Sequence, residues 1–142
     1  MKTITPYINF NGNCDEAFEF YHAILGGELR IARYGELENP MGLSGDDLKL
    51  IANAAIIKDG ITVLYGSDAP TAYRQPDIDR NGFNVNLETN SAEEAKRYFE
   101  YLSQDGKTIM PLGETEWAES FAMFTDKFGI GWMVIYFGAK HN

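Results

Sequence analysis

Uncharged polar side chains in two extended segments are the first candidates for a binding site. Tyr7 and Asn9 alternate with apolar residues near the start of the chain, and Asn84 and Asn86 do so in a later segment. Successive side chains of a strand point to opposite faces, so each polar pair projects away from its apolar neighbours. Two interpretations are equally good: these groups orient a small polar ligand on an apolar floor, or they bond one another and ordered water.

Two further residues are candidates for the same site. Asn53 precedes an apolar segment that starts at Ala54, and it either faces the site or, as the preferred interpretation, caps a turn. Trp117 stands in an acidic loop, where its ring either covers a pocket or, preferably, packs internally or in a dimer interface. The alternate acids of this loop, Glu114 and Glu116, are expected to be solvated.

Few groups in the sequence are suited to nucleophilic or metal chemistry. His22 is expected to point to solvent from a helix, and His141 is expected to be a tag-like or disordered tail residue. Cys14 starts a helix, where the dipole lowers a thiol pKa, but no base is identifiable nearby and we expect it to be inert. Dinucleotide, Walker and nucleophile-elbow motifs are missing from the sequence.

Composition excludes several classes of partner. The 142 residues carry a net charge of −9 and their 12 Lys and Arg residues are scattered, which argues against a nucleic-acid partner. A single cysteine excludes an internal disulfide, so nothing indicates secretion. No segment approaches the roughly 18 apolar residues of a membrane span. We therefore expect a cytoplasmic protein without a membrane partner, built as one domain or as two half-domains that share a core.

One structural unit occurs twice along the chain. A strand at 3–10 leads to a helix that Asn13 is predicted to cap, and a strand from Asn84 leads to a helix that Ser91 is predicted to cap. From each cap, an acid, an alanine and an aromatic pair recur at the same spacing: Glu16, Ala17, Phe20 and Tyr21, then Glu94, Ala95, Tyr98 and Phe99. We interpret this match as an internal repeat.

Three strands are predicted after each helix, so each half has the order βαβββ. In the first half they lie at 28–34, 54–58 and 61–65, with a short helix at 45–51, and in the second at 107–112, 119–125 and 132–137. The Asp59-Gly60 pair is a strong signal for a hairpin between two of them. The charged Asp126-Lys127 tip with Gly129 and Gly131 predicts a tight turn between the last two strands. The predicted organisation is a first module at 1–68, a connector at 69–81 and a second module at 82–142.

This doubled order, together with several motifs, resembles the vicinal oxygen chelate superfamily of glyoxalases, bleomycin-resistance proteins and extradiol dioxygenases, and in particular its PhnB-like branch. The motifs are Tyr7 to Asn13 with Glu16-Ala17 and Phe20-Tyr21, Gly26-Gly27, Gly66-Ser67-Asp68, Met110-Pro111-Leu112 with Trp117, and Asp126-Lys127-Phe128-Gly129 with Trp132. The resemblance implies an α+β fold in which two paired βαβββ modules form curved mixed sheets around a cleft. Many members of the superfamily are homodimers.

The resemblance also implies where a metal would be held. Enzymes of the superfamily usually bind a divalent cation through four side chains, mostly His or Glu, from four strands. The corresponding positions here fall near Thr5, near Gly82, on Met133 and within 64–68, where only Asp68 could serve. A three-ligand site made from other acids would suit Mg or Ca better than zinc. We predict no metal and no cofactor.

The sequence thus predicts a metal-free, small-molecule-binding homodimer whose ligand contacts are Tyr7, Asn9, Asn53, Asn84, Asn86, Trp117 and Met133. One alternative is a metal-dependent lyase or dioxygenase with relocated ligands. Another is a structural or regulatory dimer whose cleft is filled by its own side chains. The residues leave open whether the protein catalyses a reaction and whether the modules pair within one chain or exchange between two.

Overall fold

Four strands of the first unit, Met1–Ile78, form one mixed sheet. In the computed structural model, which describes residues 1–76 and 78–140, the elements are β1 (Tyr7–Phe10), α1 (Cys14–Leu25), β2 (Glu28–Arg33), β3 (Ile51–Lys58) and β4 (Ile61–Asp68). The strand order is β1-β4-β3-β2, and β1 runs parallel to β4 whereas the other neighbours are antiparallel. The predicted short helix is a 3-10 helix at Gly45–Lys49.

The second unit, Asp79–Asn142, repeats this plan. It contains β5 (Val85–Glu88), α2 (Ala92–Leu102), β6 (Lys107–Gly113), β7 (Ser120–Thr125) and β8 (Gly131–Tyr136) in the sheet order β5-β8-β7-β6. Here β5 is the strand that runs parallel to its neighbour, β8. The predicted α+β class with two βαβββ modules is confirmed. No helix among the described residues is both long and apolar enough to cross a membrane.

The apolar face of α1 packs on its sheet through residues spaced three and four apart. Cys14, Ala17, Phe18, Tyr21 and Leu25 are buried in this face. Of the repeated aromatic pair, Tyr21 is buried but Phe20 is only half-buried, and Phe18 is fully buried instead. Phe18 can approach because residue 66 is glycine: a Cβ at Gly66 would lie 2.4 Å from the Phe18 ring.

The two helices begin differently. Ser91 caps α2 as predicted, because its Oγ accepts a hydrogen bond from the Glu94 amide at 3.1 Å. Asn13 occupies the N-cap position of α1 as predicted, but its side chain makes no cap bond to any described residue. The amides of Gly12 and Cys14 instead donate to Asp68 Oδ1, at 3.0 and 2.9 Å. The Asp68 carboxylate, at the end of β4, therefore accepts the hydrogen bonds at the start of α1 that the sequence had predicted for the Asn13 side chain.

Several predicted boundaries move in the structure. β3 begins at Ile51, so Asn53 lies inside a strand opposite Ala32, and the preferred prediction of a turn cap is wrong. The chain passes from one unit to the other after Ile78. The ranges 1–68, 69–81 and 82–142 stay a prediction for the modules and their connector. His141 lies outside the described residues, as does the prediction made for it.

Candidate functional site

The face of the first sheet that does not contact α1 carries paired tyrosine rings. Phe10 contacts Phe18 of the helix edge-to-face at 6.3 Å, so Tyr7 and Asn9, which alternate with Phe10, point away from the helix. Tyr7 lies opposite Tyr65 of β4, and the two rings stack with centroids 5.9 Å apart. Tyr7 is 47% exposed. We call this surface the first helix-free face.

Asn53 belongs to the first helix-free face as well. Ala55 pairs with Tyr65, and Asn53 precedes Ala55 by two residues, so both side chains project on the same side as the tyrosines. Arg30 and Ala32 of the edge strand β2 line a shallow depression of about 440 Å³ together with Asn53. The structure therefore brings three predicted ligand contacts, Tyr7, Asn9 and Asn53, to one face of one sheet.

A hollow of about 230 Å³ opens at the end of β1. It is lined by Asn9, Asn11, Ala69, Tyr73, Gln75 and Ile78, and none of these six described residues is charged. Asn11 Nδ2 donates to the Gln75 carbonyl at 2.9 Å, which ties the loop after β1 to the chain that follows β4. The Asn11 Oδ1 is buried and accepts from no described residue, so one wall carries an unmet acceptor.

Apart from Asn9, the residues of this hollow were not predicted. Asn11 and Gln75 are 64 positions apart, and no local pattern joins them. One signal was available: the carboxyl ends of parallel strands are a common place for ligands, and Asn11 directly follows such a strand.

The second sheet has a corresponding face with different chemistry. Phe99 of α2 contacts Phe124 edge-to-face at 5.6 Å, so Met123, the neighbour of Phe124, points away from the helix. Met123 pairs with Met110 of β6 and with Met133 of β8, and Met133 pairs with Asn86 of β5. We call this surface the second helix-free face and its three methionines the methionine row.

Trp117 and Asn84 also belong to this surface. Trp117 is 51% exposed, and its ring contacts Phe121 edge-to-face at 5.5 Å. Phe121 precedes Met123 by two residues and so shares its side of the sheet. Asn84 covers Gly131, where a Cβ would lie 2.4 Å from the Asn84 Oδ1. The four predicted contacts of the second half, Asn84, Asn86, Trp117 and Met133, thus lie on or beside one surface.

The residues present do not fit the metal centre that the resemblance implied. Asp68 is 2% exposed, and its two carboxylate oxygens accept from backbone amides: Oδ1 from Gly12 and Cys14, and Oδ2 from Ile51 at 3.0 Å. Thr5 and Gly82 lie outside the strands. Within 1–76 and 78–140, no group of three or more His, Cys, Asp and Glu side chains is arranged to hold a cation.

A second buried carboxylate, that of Asp126, also accepts hydrogen bonds from backbone amides. Its Oδ1 accepts from the amides of Phe128 and Ile130 at 2.8 and 3.0 Å, and its Oδ2 accepts from Trp132 Nε1 at 2.8 Å. These bonds close the turn between β7 and β8 that the sequence predicted. Asp126 is 3% exposed, so it presents no oxygen to a ligand.

The remaining candidate groups are buried or take part in contacts within the protein. Burial, with the nearby carboxylates of Asp68 and Asp15, raises the pKa of the Cys14 thiol, which therefore stays protonated at neutral pH, as expected for an inert residue. The His22 Nε2 lies 2.9 Å from the carbonyl oxygen of Gly27, just beyond the C-terminal end of α1. Hydrogen bonding to the Lys140 ammonium lowers the pKa of Glu114.

Comparison with known proteins gives a consistent assignment. Residues 4–134 match the model of the Glyoxalase/Bleomycin resistance protein/Dioxygenase superfamily. The chain is 34% identical over 141 residues to protein YjdN of Escherichia coli (strain K12), with 92% of each chain covered. It is 39% identical to protein PA1353 from Pseudomonas aeruginosa, whose crystal structure matches with a TM-score of 0.83 over 96% of this chain and 98% of that one. The PhnB protein from Bacillus cereus is 25% identical, with a TM-score of 0.73 over 95% and 99% of the two chains.

Proposed function

This chain belongs to the Glyoxalase/Bleomycin resistance protein/Dioxygenase superfamily, and from that premise we propose that it is a homodimeric protein that binds a small molecule without a metal ion. The observation that carries the proposal is the first helix-free face. There the stacked rings of Tyr7 and Tyr65 continue through Asn9 into a hollow whose described lining residues are uncharged. Aromatic area with a few fixed polar groups is the usual composition of a small-molecule site.

The dimensions and charge of the hollow favour a small neutral ligand. The volume of the hollow, about 230 Å³, lies below the roughly 300–1,000 Å³ of pockets for drug-sized ligands, so it suits a smaller molecule. The lining offers amide donors and acceptors and one phenol, Tyr73, which is 70% exposed at the rim. A charged ligand would lose its hydration there without gaining a counter-ion from the six described lining residues.

Among residues 1–76 and 78–140 no set of side chains is suited to hold a metal, which supports binding rather than metal-assisted chemistry. Asp68 is the one acid near an implied ligand position, and its oxygens accept from three backbone amides in two segments, the start of α1 and the start of β3. Turning it towards a cation would leave the buried amides of Cys14 and Ile51 without acceptors. The homodimer is proposed from the resemblance, and sedimentation equilibrium of the purified protein tests it.

Nuclear magnetic resonance of ¹⁵N-labelled protein tests the binding site. Neutral single-ring fragments are expected to shift the side-chain amide signals of Asn9 and Asn11 saturably. Tyr7→Ala removes one stacked ring and is expected to weaken this binding about fivefold or more. Tyr101→Ala is the matched control, because Tyr101 is similarly exposed, at 53%, but lies on α2.

Two results would contradict the proposal. One is the failure of every fragment to shift those signals. The other is stoichiometric metal, coupled to turnover, in protein purified without tags and chelators.

A further inference from the structure

We infer that the residues Gly138–Lys140 form a releasable strap that fixes the position of Trp117. These residues form a short 3-10 helix that starts two residues after β8, and we call them the C-terminal strap. They contact the connection between β6 and β7, residues 114–119, which we call the Trp117 loop. The inference goes beyond the proposed small-molecule function and does not depend on it, because it concerns contacts within the second unit.

The strap joins the two ends of the Trp117 loop. At one end, the Glu119 carboxylate accepts a hydrogen bond from the Ala139 amide at 2.6 Å. At the other end, the Lys140 ammonium donates to the Thr115 carbonyl at 2.8 Å and pairs with the Glu114 carboxylate. Three successive contacts therefore connect the beginning of the loop to its end through a segment that lies about 20 residues further along the chain.

The two halves of the loop differ in how firmly the rest of the unit holds them. Ala118 is fully buried, which anchors the second half. The first half follows β6, an edge strand whose pairing with β7 is irregular between Met110 and Gly113. Within the loop, the Ala118 amide donates to Thr115 Oγ1 and the Thr115 amide donates to the Ala118 carbonyl, both at 3.0 Å. The contacts of Lys140 thus add the connection that the weakly paired edge strand does not supply.

The strap is held by polar contacts, which makes it releasable. None of its three residues is buried. The side chains of Lys140 and Glu114 are 30% and 70% exposed, so dissolved salt weakens their ion pair. Segments that bury little apolar surface open at the lowest cost in free energy. We therefore expect the strap to detach while the two sheets and both helices stay folded.

Release of the strap changes the surroundings of Trp117. Its indole is held edge-to-face against Phe121, with ring centroids 5.5 Å apart, and the residue is 51% exposed. Once Lys140 no longer holds the first half of the loop, that half can move away from the sheet and the indole gains contact with water. A partner or solution condition that detaches the strap thereby alters the surface around Trp117.

Fluorine NMR of protein labelled with 5-fluorotryptophan tests this inference, because the chain contains two tryptophans. Trp132 is fully buried and its indole donates to Asp126, so its signal reports whether the fold is intact. Lys140→Met removes the ammonium but keeps an unbranched side chain. In this variant the Trp117 signal should move towards that of free 5-fluorotryptophan. Its solvent isotope shift should rise by up to about twofold, since the residue is already 51% exposed.

A second variant releases the strap at its other end. Gly138 has a φ of +61°, and a Cβ there would overlap the Glu119 carboxylate, so Gly138→Ala should move the Trp117 signal in the same direction. Gly42→Ala is its matched control, because Gly42 has a similar φ of +74° but a Cβ there meets no described atom within 4 Å. Lys49→Met is the control for loss of an ammonium from an exposed ion pair. Both controls should leave the two tryptophan signals unchanged.

Each contrary outcome has a distinct meaning. An unmoved Trp117 signal in either strap variant overturns the inference, as does an equal movement in a control. If a strap variant also displaces the Trp132 signal, a salt titration of the unmodified protein decides. Raising NaCl from 0.1 to 1 M shortens the Debye length from about 10 Å to about 3 Å. Movement of the Trp117 signal alone then supports the strap, and an unmoved signal overturns it.

Discussion

The two helix-free faces stand on the same βαβββ plan but carry different chemistry. The first face presents phenol and amide groups, with Tyr7 stacked on Tyr65 beside Asn9. The second presents thioethers and an indole, with the methionine row beside Trp117. Positions that fill the helix side of each sheet are constrained by packing, whereas those on the opposite side are free to diverge. The two units therefore share a scaffold, and their helix-free faces differ in chemistry.

The two modules also differ in how far along the chain the partners of their buried carboxylates lie. Asp68 and Asp126 each accept three hydrogen bonds. The donors to Asp68 lie 17 to 56 residues away along the chain, whereas those to Asp126 lie two to six residues away. The first module is thus closed by a tertiary contact and the second by a local turn.

The largest expected effect is the loss of stability when either of these carboxylates is removed, and it tests the difference between tertiary and local closure. Asp68→Ala leaves three amides in a buried region without their acceptor, and we expect a loss of about 3–5 kcal/mol in the free energy of unfolding. Asp126→Ala should cost less, about 2–3 kcal/mol, because its turn can rearrange locally. Urea denaturation measures both, and Asp46→Ala, at an exposed surface pair, is the control with a change below about 0.5 kcal/mol. Equal losses at positions 68 and 126 would remove the distinction between tertiary and local closure.

A smaller effect comes from the residue that begins each helix. The first helix begins with Cys14 and the second with Ala92, at the same distance from its cap position. The pKa of Cys14 is raised in the folded protein above the ordinary value of 9.0, mainly by burial. The folded state therefore holds the thiol proton more tightly, so its stability is unaffected below pH 9 and falls as the pH rises above 9.

This fall should reach about 1.4 kcal/mol at pH 10, since a full proton difference is worth about 1.36 kcal/mol per pH unit. Cys14→Ala makes the first helix start like the second and should abolish this part of the fall. The measurement is the free energy of unfolding at pH 8, 9 and 10 in both proteins. Burial also raises the pKa of Tyr34, which affects both proteins equally, so the difference between them isolates the thiol. Parallel pH curves would show that Cys14 does not titrate differently in the two states.

Sequence patterns predicted those caps and turns that are determined by residues close together in the chain. The Ser91 cap, the hairpin at Asp59-Gly60 and the turn at Asp126 are each specified within a few positions, and all three are present. Alternation placed Tyr7 and Asn9 on the correct side of β1 without knowledge of the sheet.

What the sequence missed depends on contacts between distant residues. The cap of α1 comes from Asp68, 54 positions from Cys14, and the wall of the hollow comes from Gln75, 64 positions from Asn11. The methionine row exists only through the register of three strands, so no window of the sequence contains it. Local patterns specify elements, whereas register and tertiary hydrogen bonds assemble the surfaces.

The smallest expected effect is the change in stability when the residue at the N-cap of either helix is replaced by alanine. Ser91→Ala removes the bond from Ser91 Oγ to the Glu94 amide and should destabilise the protein by about 1 kcal/mol. Asn13→Ala should change stability by less than about 0.5 kcal/mol, because Asp68 already accepts from the amides at the start of α1. Thermal and urea unfolding of the two variants measure the difference. Ser91→Asp keeps an acceptor and should recover most of the loss, which separates capping from side-chain size. A large loss for Asn13→Ala would mean that Asp68 does not replace the local cap, and the contrast between the modules would then disappear.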